Sequence, residues 1–236
     1  MCGITGFFIN GSNRSVAVEL IESMTSTLQH RGPDGWGTYL SPEMALGHRR
    51  LSIVDLAGGR QPMLTDRFAI VYNGEIFNYI ELREELEGKG VSFKTNCDTE
   101  IALKAYEIYG PKAFASFNGQ FAMIIWDRLE KQAVAVRDRY GVRPLYVLDF
   151  NGCFYFASEM KAFDVIKGFQ RTMEPRSLFQ HGLLWNTIDD STIYRNIRAV
   201  PSGTYEVYSL GQEPKKYRYY EIGASPSPPP VSCPEA

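Results

Sequence analysis

The chain has 236 residues, of which 44% are hydrophobic and 22% charged, with a formal net charge of −2. This is globular composition, apolar enough to fill a core, and it excludes a disordered chain. The near-neutral balance leaves no basic footprint for nucleic acid and no polybasic patch for a membrane, so neither is expected as a partner.

The opening "CGITGFFI" is too short for a spanning helix and has no charged region before it, so it does not read as a signal peptide. Cys2 to Ile9 reads instead as a buried strand ended by "NGSN". Ala17, Leu20, Ile21, Met24 and Leu28 recur at helical spacing, and that helix stops near "HRGPDGWG" (residues 30–37), whose glycines predict a loop. Short strands follow in "GTYL", "MALGH" and "FAIVYNG". Tyr79, Leu82 and Leu86 mark a second helix closed by Gly88 and Gly90. A third starts near Asp98, with Ile101, Ala105 and Ile108 expected inward.

Four strand-like runs at hairpin spacing come next, "GQFAMIIWD", "QAVAVRD", "PLYVLD" and "CFYFAS", and "GTYEVYSLG" with "KKYRYYEI" forms a further pair. Antiparallel strands with segregated helices predict an α+β domain over residues 1–222, not alternating βαβ units. Residues 223–236 hold five prolines in their last eleven positions and read as a proline- and serine-rich linker or disordered tail. Cys2, Cys97, Cys153 and Cys233 show no CxxC spacing and no clustering with the three histidines, so neither a disulfide scaffold nor a metal site is expected. The cytoplasm is the expected compartment.

Four segments carry polar residues that packing explains poorly: "HRGPDGWG", "GHRRLSIVD" (47–55), "YNGEIFN" (72–78) and "TNCDTE" (95–100). "YNGEIFN" places Asn-Gly-Glu where a strand is expected to give way to a helix, which disfavours the hairpin-turn reading of "NG". Cys2 could be one more small buried hydrophobe. Once Met1 is removed, however, it carries a thiol and an α-amino group on one residue, a nucleophile with its own base.

Together with Met-Cys-Gly at the front, these segments resemble the class II, N-terminal-nucleophile glutamine amidotransferases. The spellings "HRGPD", "RLSIVD", "YNGEIFN" and "FASEMKAF" are most similar to the glutaminase domain of asparagine synthetase. The resemblance implies a four-layer αββα sandwich of two antiparallel sheets. It implies hydrolysis of L-glutamine to glutamate and ammonia through a thioester on Cys2, the α-amine taking the thiol proton and returning it to the leaving ammonia.

By the same resemblance, the Asn73 amide and the Gly74 N–H form the oxyanion hole, and Arg50 clamps the α-carboxylate with its planar fork. Ile53 and Val54 belong to the substrate-binding set, and Asp98 with Glu75 holds the α-ammonium. From the residues alone, Thr95-x-x-Asp98 also reads as a capping box. Arg31 and Asp34 are expected to lock the loop over the pocket, and "RDRYGVRPLY" (137–146) to shape the core behind it.

Asparagine synthetase continues into an ATP-using domain with an SGGxDS-type phosphate loop. The nearest stretch here, "LAGGRQP", lacks the serine and the aspartate. The chain is therefore expected to use no cofactor, with ATP and magnesium confined to an ammonia-accepting synthetase partner. A scaffold or regulatory subunit that keeps the fold without catalysis is the alternative; the complete set Cys2, Arg50, Asn73, Gly74 and Asp98 argues against it.

Overall fold

The computed structural model describes residues 1–11, 14–52, 55 and 58–223; Ile53, Val54 and the tail from 224 onward lie outside the described residues. The chain runs β1 (Gly3–Phe8), α1 (Arg14–Ser26), β2 (Gly35–Leu40), β3 (Met44–Arg50), β4 (Met63–Leu64), β5 (Phe68–Ile76), α2 (Tyr79–Gly88), α3 (Asp98–Tyr109) and α4 (Ala113–Ser116). It continues through β6 (Gly119–Asp127), β7 (Gln132–Arg137), β8 (Tyr146–Phe150), β9 (Cys153–Ala157), α5 (Pro175–Leu184), β10 (Ile197–Ala199), β11 (Thr204–Ser209) and β12 (Lys215–Arg218). No helix among the described residues is long and apolar enough to cross a membrane.

The strands form two sheets, ordered β10-β8-β9-β1-β3-β2 and β12-β11-β7-β6-β5-β4, with every pairing antiparallel. Strand alternation builds the layers. In β6, Ala122, Ile124 and Trp126 face the other sheet, where they meet Ile4, Phe8, Met44 and Leu46. Phe121, Met123 and Ile125 face the opposite way, onto Leu82, Leu86, Ile101 and Phe114 of the helical layer. Phe7 and Ala45 face a third layer of Ile21, Met24 and Leu28, joined by Phe163. Burial on both faces explains why "FAMIIW" is apolar without interruption. The result is the expected αββα sandwich.

Several local expectations are corrected. The predicted loop ends at Asp34, because Gly35 and Trp36 already pair with Arg50 and Arg49 in β2. The strand holding Asn73 and Gly74 runs on to Ile76 before any helix starts. Ile108 is 44% exposed, and the inner face of α3 is made by Ile101, Ala102, Ala105 and Tyr106. Thr95 and Asp98 form no capping box: the N-cap position is Cys97, and the Thr95 hydroxyl donates to Glu100 at 2.6 Å. Glu100 satisfies the Lys94 and Thr95 amides instead, which leaves Asp98 to bond toward the sheet. β4, α4, β10 and α5 have no counterpart among the sequence expectations.

Candidate active site

One end of the sandwich carries a small cavity, about 70 Å³, whose lining includes Cys2, Arg50, Asn73, Gly74, Glu75 and Asp98. Cys2 stands at the head of β1 in one sheet, and Arg50 ends β3 beside it. Asn73 to Glu75 come from β5 in the other sheet, and Asp98 opens α3 behind it. Residues far apart in sequence thus converge because the two sheets pack face to face. His48 ties them together at this point: its Nε2 donates to the Tyr72 carbonyl across the sheets at 3.2 Å. Burial pushes its pKa down to about 3, so it is a neutral strut and not a base.

The Cys2 sulfur lies 3.4 Å from the Leu51 amide, which donates to it, and Arg31 Nε donates to the Cys2 carbonyl at 2.8 Å. With Met1 still attached, burial raises the thiol pKa, against the Leu51 bond, the amino terminus and Arg50, which lower it. Such a thiol needs a base, and the Cys2 nitrogen in that form is an amide without basicity. Arg31 is itself braced by Glu159 at 2.9 Å, and the Asp34 carboxylate accepts from Ser52 N at 2.8 Å. Both therefore hold the 30–34 loop against the site, as expected.

The β5 edge supplies donors. Phe121, opposite Gly74, directs both its N–H and its C=O to Asp138, so Gly74 and Phe121 are a narrow, non-hydrogen-bonded pair. The Gly74 N–H consequently points away from β6, in line with the Tyr72 and Ile76 amides. Those two are taken by Gln61 Oε1 at 2.6 Å and Asp98 Oδ2 at 3.1 Å, and the Gly74 amide lies between them on the cavity side. Asn73 is 1% exposed, yet among the described residues its Nδ2 has no hydrogen-bond partner. A buried orphan donor costs about 1–3 kcal/mol and asks for an explanation.

Asp98 also accepts from the Tyr72 hydroxyl at 2.7 Å. Burial raises its carboxyl pKa, opposed by the bonds from Tyr72, Ile76 and Thr99, with Glu75 adding repulsion. The guanidinium of Arg50 donates to the Asp55 carbonyl at 2.5 Å. Cations and carboxylates lining one small cavity suit a zwitterionic ligand, placed beside a thiol and two donors.

Among the other lining residues, Gln61, Tyr72, Thr99 and Arg143 bring polar side chains to which sequence reasoning gave no role. Arg143 was within a quoted motif, and a charged residue inside the apolar run "GVRPLYVL" was the available signal. Wholly buried Asp138 positions it, accepting from the Tyr140 and Val142 amides at 3.0 Å and the Arg143 amide at 2.9 Å. Arg49, by contrast, lies outside the cavity and bonds to Thr25 and Ser26 at the end of α1.

Gly74 permits a direct test of the strand spacing. A Cβ there would sit 2.2 Å from the Gln120 carbonyl oxygen and 2.6 Å from Phe121 Cα, both backbone atoms that cannot swing aside. Gly74→Ala should therefore lower stability by about 1–3 kcal/mol in thermal or denaturant unfolding, because β5 and β6 must part. An unchanged unfolding midpoint would show that the close approach is not required.

Comparison with known proteins agrees with this architecture. Residues 1–220 match the family described as the glutamine amidotransferase domain. Asparagine synthetase [glutamine-hydrolyzing] 1 of Bacillus subtilis is 37% identical over 208 residues, covering 86% of this chain and 33% of that protein. Asparagine synthetase [glutamine-hydrolyzing] 3 of the same organism is 38% identical over 166 residues, covering 69% of this chain and 27% of that protein. The chain thus spans about a third or less of the length of these curated relatives. Among solved structures, glutamine phosphoribosylpyrophosphate amidotransferase from B. subtilis superposes with a TM-score of 0.70 at 21% identity, covering 94% of this chain and 50% of that one; this likeness speaks to the fold. On the match over residues 1–220, the chain belongs to the glutamine amidotransferase domain family.

Proposed function

We propose that this chain hydrolyses L-glutamine to glutamate and ammonia, with Cys2 as the nucleophile after removal of Met1. The freed α-amine takes the thiol proton while sulfur attacks the amide carbon. The resulting oxyanion is held by Asn73 Nδ2 and the Gly74 N–H. Collapse breaks the C–N bond, the amine's proton leaves with ammonia, and a Cys2 thioester remains. Water, deprotonated by the same amine, attacks that thioester to release glutamate and restore the thiol.

Arg50 grips the α-carboxylate and Asp98, with Glu75, the α-ammonium, and Ile53 and Val54 complete the substrate-binding set. Residues 1–222 form the amidotransferase unit and 223–236 a linker. Ammonia passes to an amidating synthetase unit that uses ATP and magnesium, this chain using neither. Free-thiol chemistry suits a reducing compartment, the cytoplasm.

One observation carries the reading: Asn73 Nδ2, buried and without a partner among the described residues, and the outward Gly74 N–H belong to residues that line one cavity with Cys2. Ground-state donors without partners are what an oxyanion site requires. The purified chain should convert glutamine to equal amounts of glutamate and ammonia. With ATP, magnesium and aspartate added, it should form neither asparagine nor pyrophosphate. Absence of glutaminase with any synthetase partner would favour the scaffold alternative, and ATP-dependent asparagine would refute the division of labour.

A further inference from the structure

The cavity holds one charged group that the proposed reaction leaves without a task. Arg50 answers the α-carboxylate, and Glu75 with Asp98 the α-ammonium, but Arg143 also lines the wall. Its Nη1 contacts the sulfur of Met1, the residue joined to Cys2, so the guanidinium lies at the amino end of the site. Its Nε is buried and, among the described residues, has no hydrogen-bond partner. Arg31, the other cation at that end, is compensated by Glu159 at 2.9 Å and already bonds the Cys2 carbonyl. Among the described residues Arg143 has no carboxylate in that role. Its backbone is fixed by the buried Asp138 cage, so the charge is delivered from a rigid turn.

We propose that Arg143 is a positioning residue for the nucleophile: its charge faces the α-amino group of mature Cys2 and keeps that amine in its neutral, basic form. This rests on the glutaminase reading above. An ammonium beside a fixed guanidinium is repelled, and the free amine is not. In the Met1-bearing chain Arg143 acts on the amino terminus that precedes Cys2 by one residue. That terminus is pushed down first by burial, then by Arg31 and Arg143, while the Cys2 thiol and Asp34 pull it upward. Arg50, Glu75 and Asp98 face the same cavity from β3, β5 and α3; Arg50 and Asp98 act on the thiol in opposite directions. Arg143 thus serves the base while Arg50 favours the thiolate.

The test compares the mature parent chain with Arg143→Gln and Arg143→Lys. An ordinary α-amine titrates near ~7.7–8.0, so losing the cation moves the amine up toward that range and leaves less base at lower pH. For Arg143→Gln, the acid limb of kcat/KM should shift up by about one pH unit, a loss of about tenfold at pH 6.5 that recovers near pH 9. Arg143→Lys should keep the parent limb. An NMR titration of the chain labelled with [13C]cysteine, following the resonance absent in Cys2→Ala, should show the same upward shift. If Arg143→Gln fails to fold, Arg143→Met gives the same readouts. An unmoved limb and unmoved resonance would overturn the proposal; so would a raised KM at every pH with the limb in place, which would make Arg143 a substrate contact. Should the parent show no glutaminase, the function fails instead, and the NMR titration still decides the role of Arg143.

Discussion

Cys2→Ala should reduce glutamine hydrolysis to background, a loss of about 10⁴-fold or more, while thermal unfolding stays close to the parent. Removing a nucleophile leaves only the catalysis that binding and oxyanion donors supply alone. The fold should survive because Cys2 precedes β1 and is only half-buried; alanine loses the long bond from the Leu51 amide, at 3.4 Å, and keeps the carbonyl that Arg31 holds. Cys97 is the informative control, since it too lines the cavity. It is buried, its pKa is raised chiefly by that burial, and it lies within 3.0 Å of the Thr95 hydroxyl, with no amine of its own to act as base. Cys97→Ala, like Cys153→Ala, should keep turnover within a few-fold of the parent. Full activity in Cys2→Ala, or loss confined to Cys97→Ala, would move the nucleophile elsewhere.

The next largest effect belongs to the oxyanion donors. Asn73→Ala should lower kcat by about 10²–10³ with a smaller change in KM, because the lost bond strengthens as charge develops on oxygen. That corresponds to about 2.7–4 kcal/mol of transition-state stabilisation. The structure adds an expectation for stability. The Nδ2 being removed is buried and has no partner among the described residues, so its loss withdraws no hydrogen bond from the fold. Activity and stability should separate, as they do where a site stores an unsatisfied group for function. A variant with normal kcat and raised KM would make Asn73 a binding residue only.

Much of this architecture was legible in the residues. β6 and β7 were bounded by "GQFAMIIWD" and "QAVAVRD" because a strand buried on both faces is an unbroken apolar run between charged turns. The layers were implied by resemblance; alternation alone could not say which face of β6 met the other sheet. The cavity residues Cys2, Arg50, Asn73, Gly74, Glu75 and Asp98 were named from motifs, and packing places them around one space. What the residues hid was tertiary. Glu100, not Asp98, satisfies the turn before α3, since only the folded sheet offers Asp98 the Tyr72 hydroxyl. Gly35 and Trp36 join a strand despite their turn-prone neighbours because β3 offers them an edge. Helix α5 buries Ser177 and exposes Phe179, Leu183 and Leu184, the reverse of the burial that an amphipathic pattern implies.

The most direct test of the central claim is intact and peptide mass spectrometry of the active chain after treatment with a glutamine analogue bearing an electrophilic γ-carbon. The account predicts a chain lacking Met1, carrying one adduct on the sulfur of Cys2, with glutaminase lost in proportion to labelling and protected by excess glutamine. Full turnover from chains that retain Met1, or inactivation with the adduct on any other residue, would contradict it.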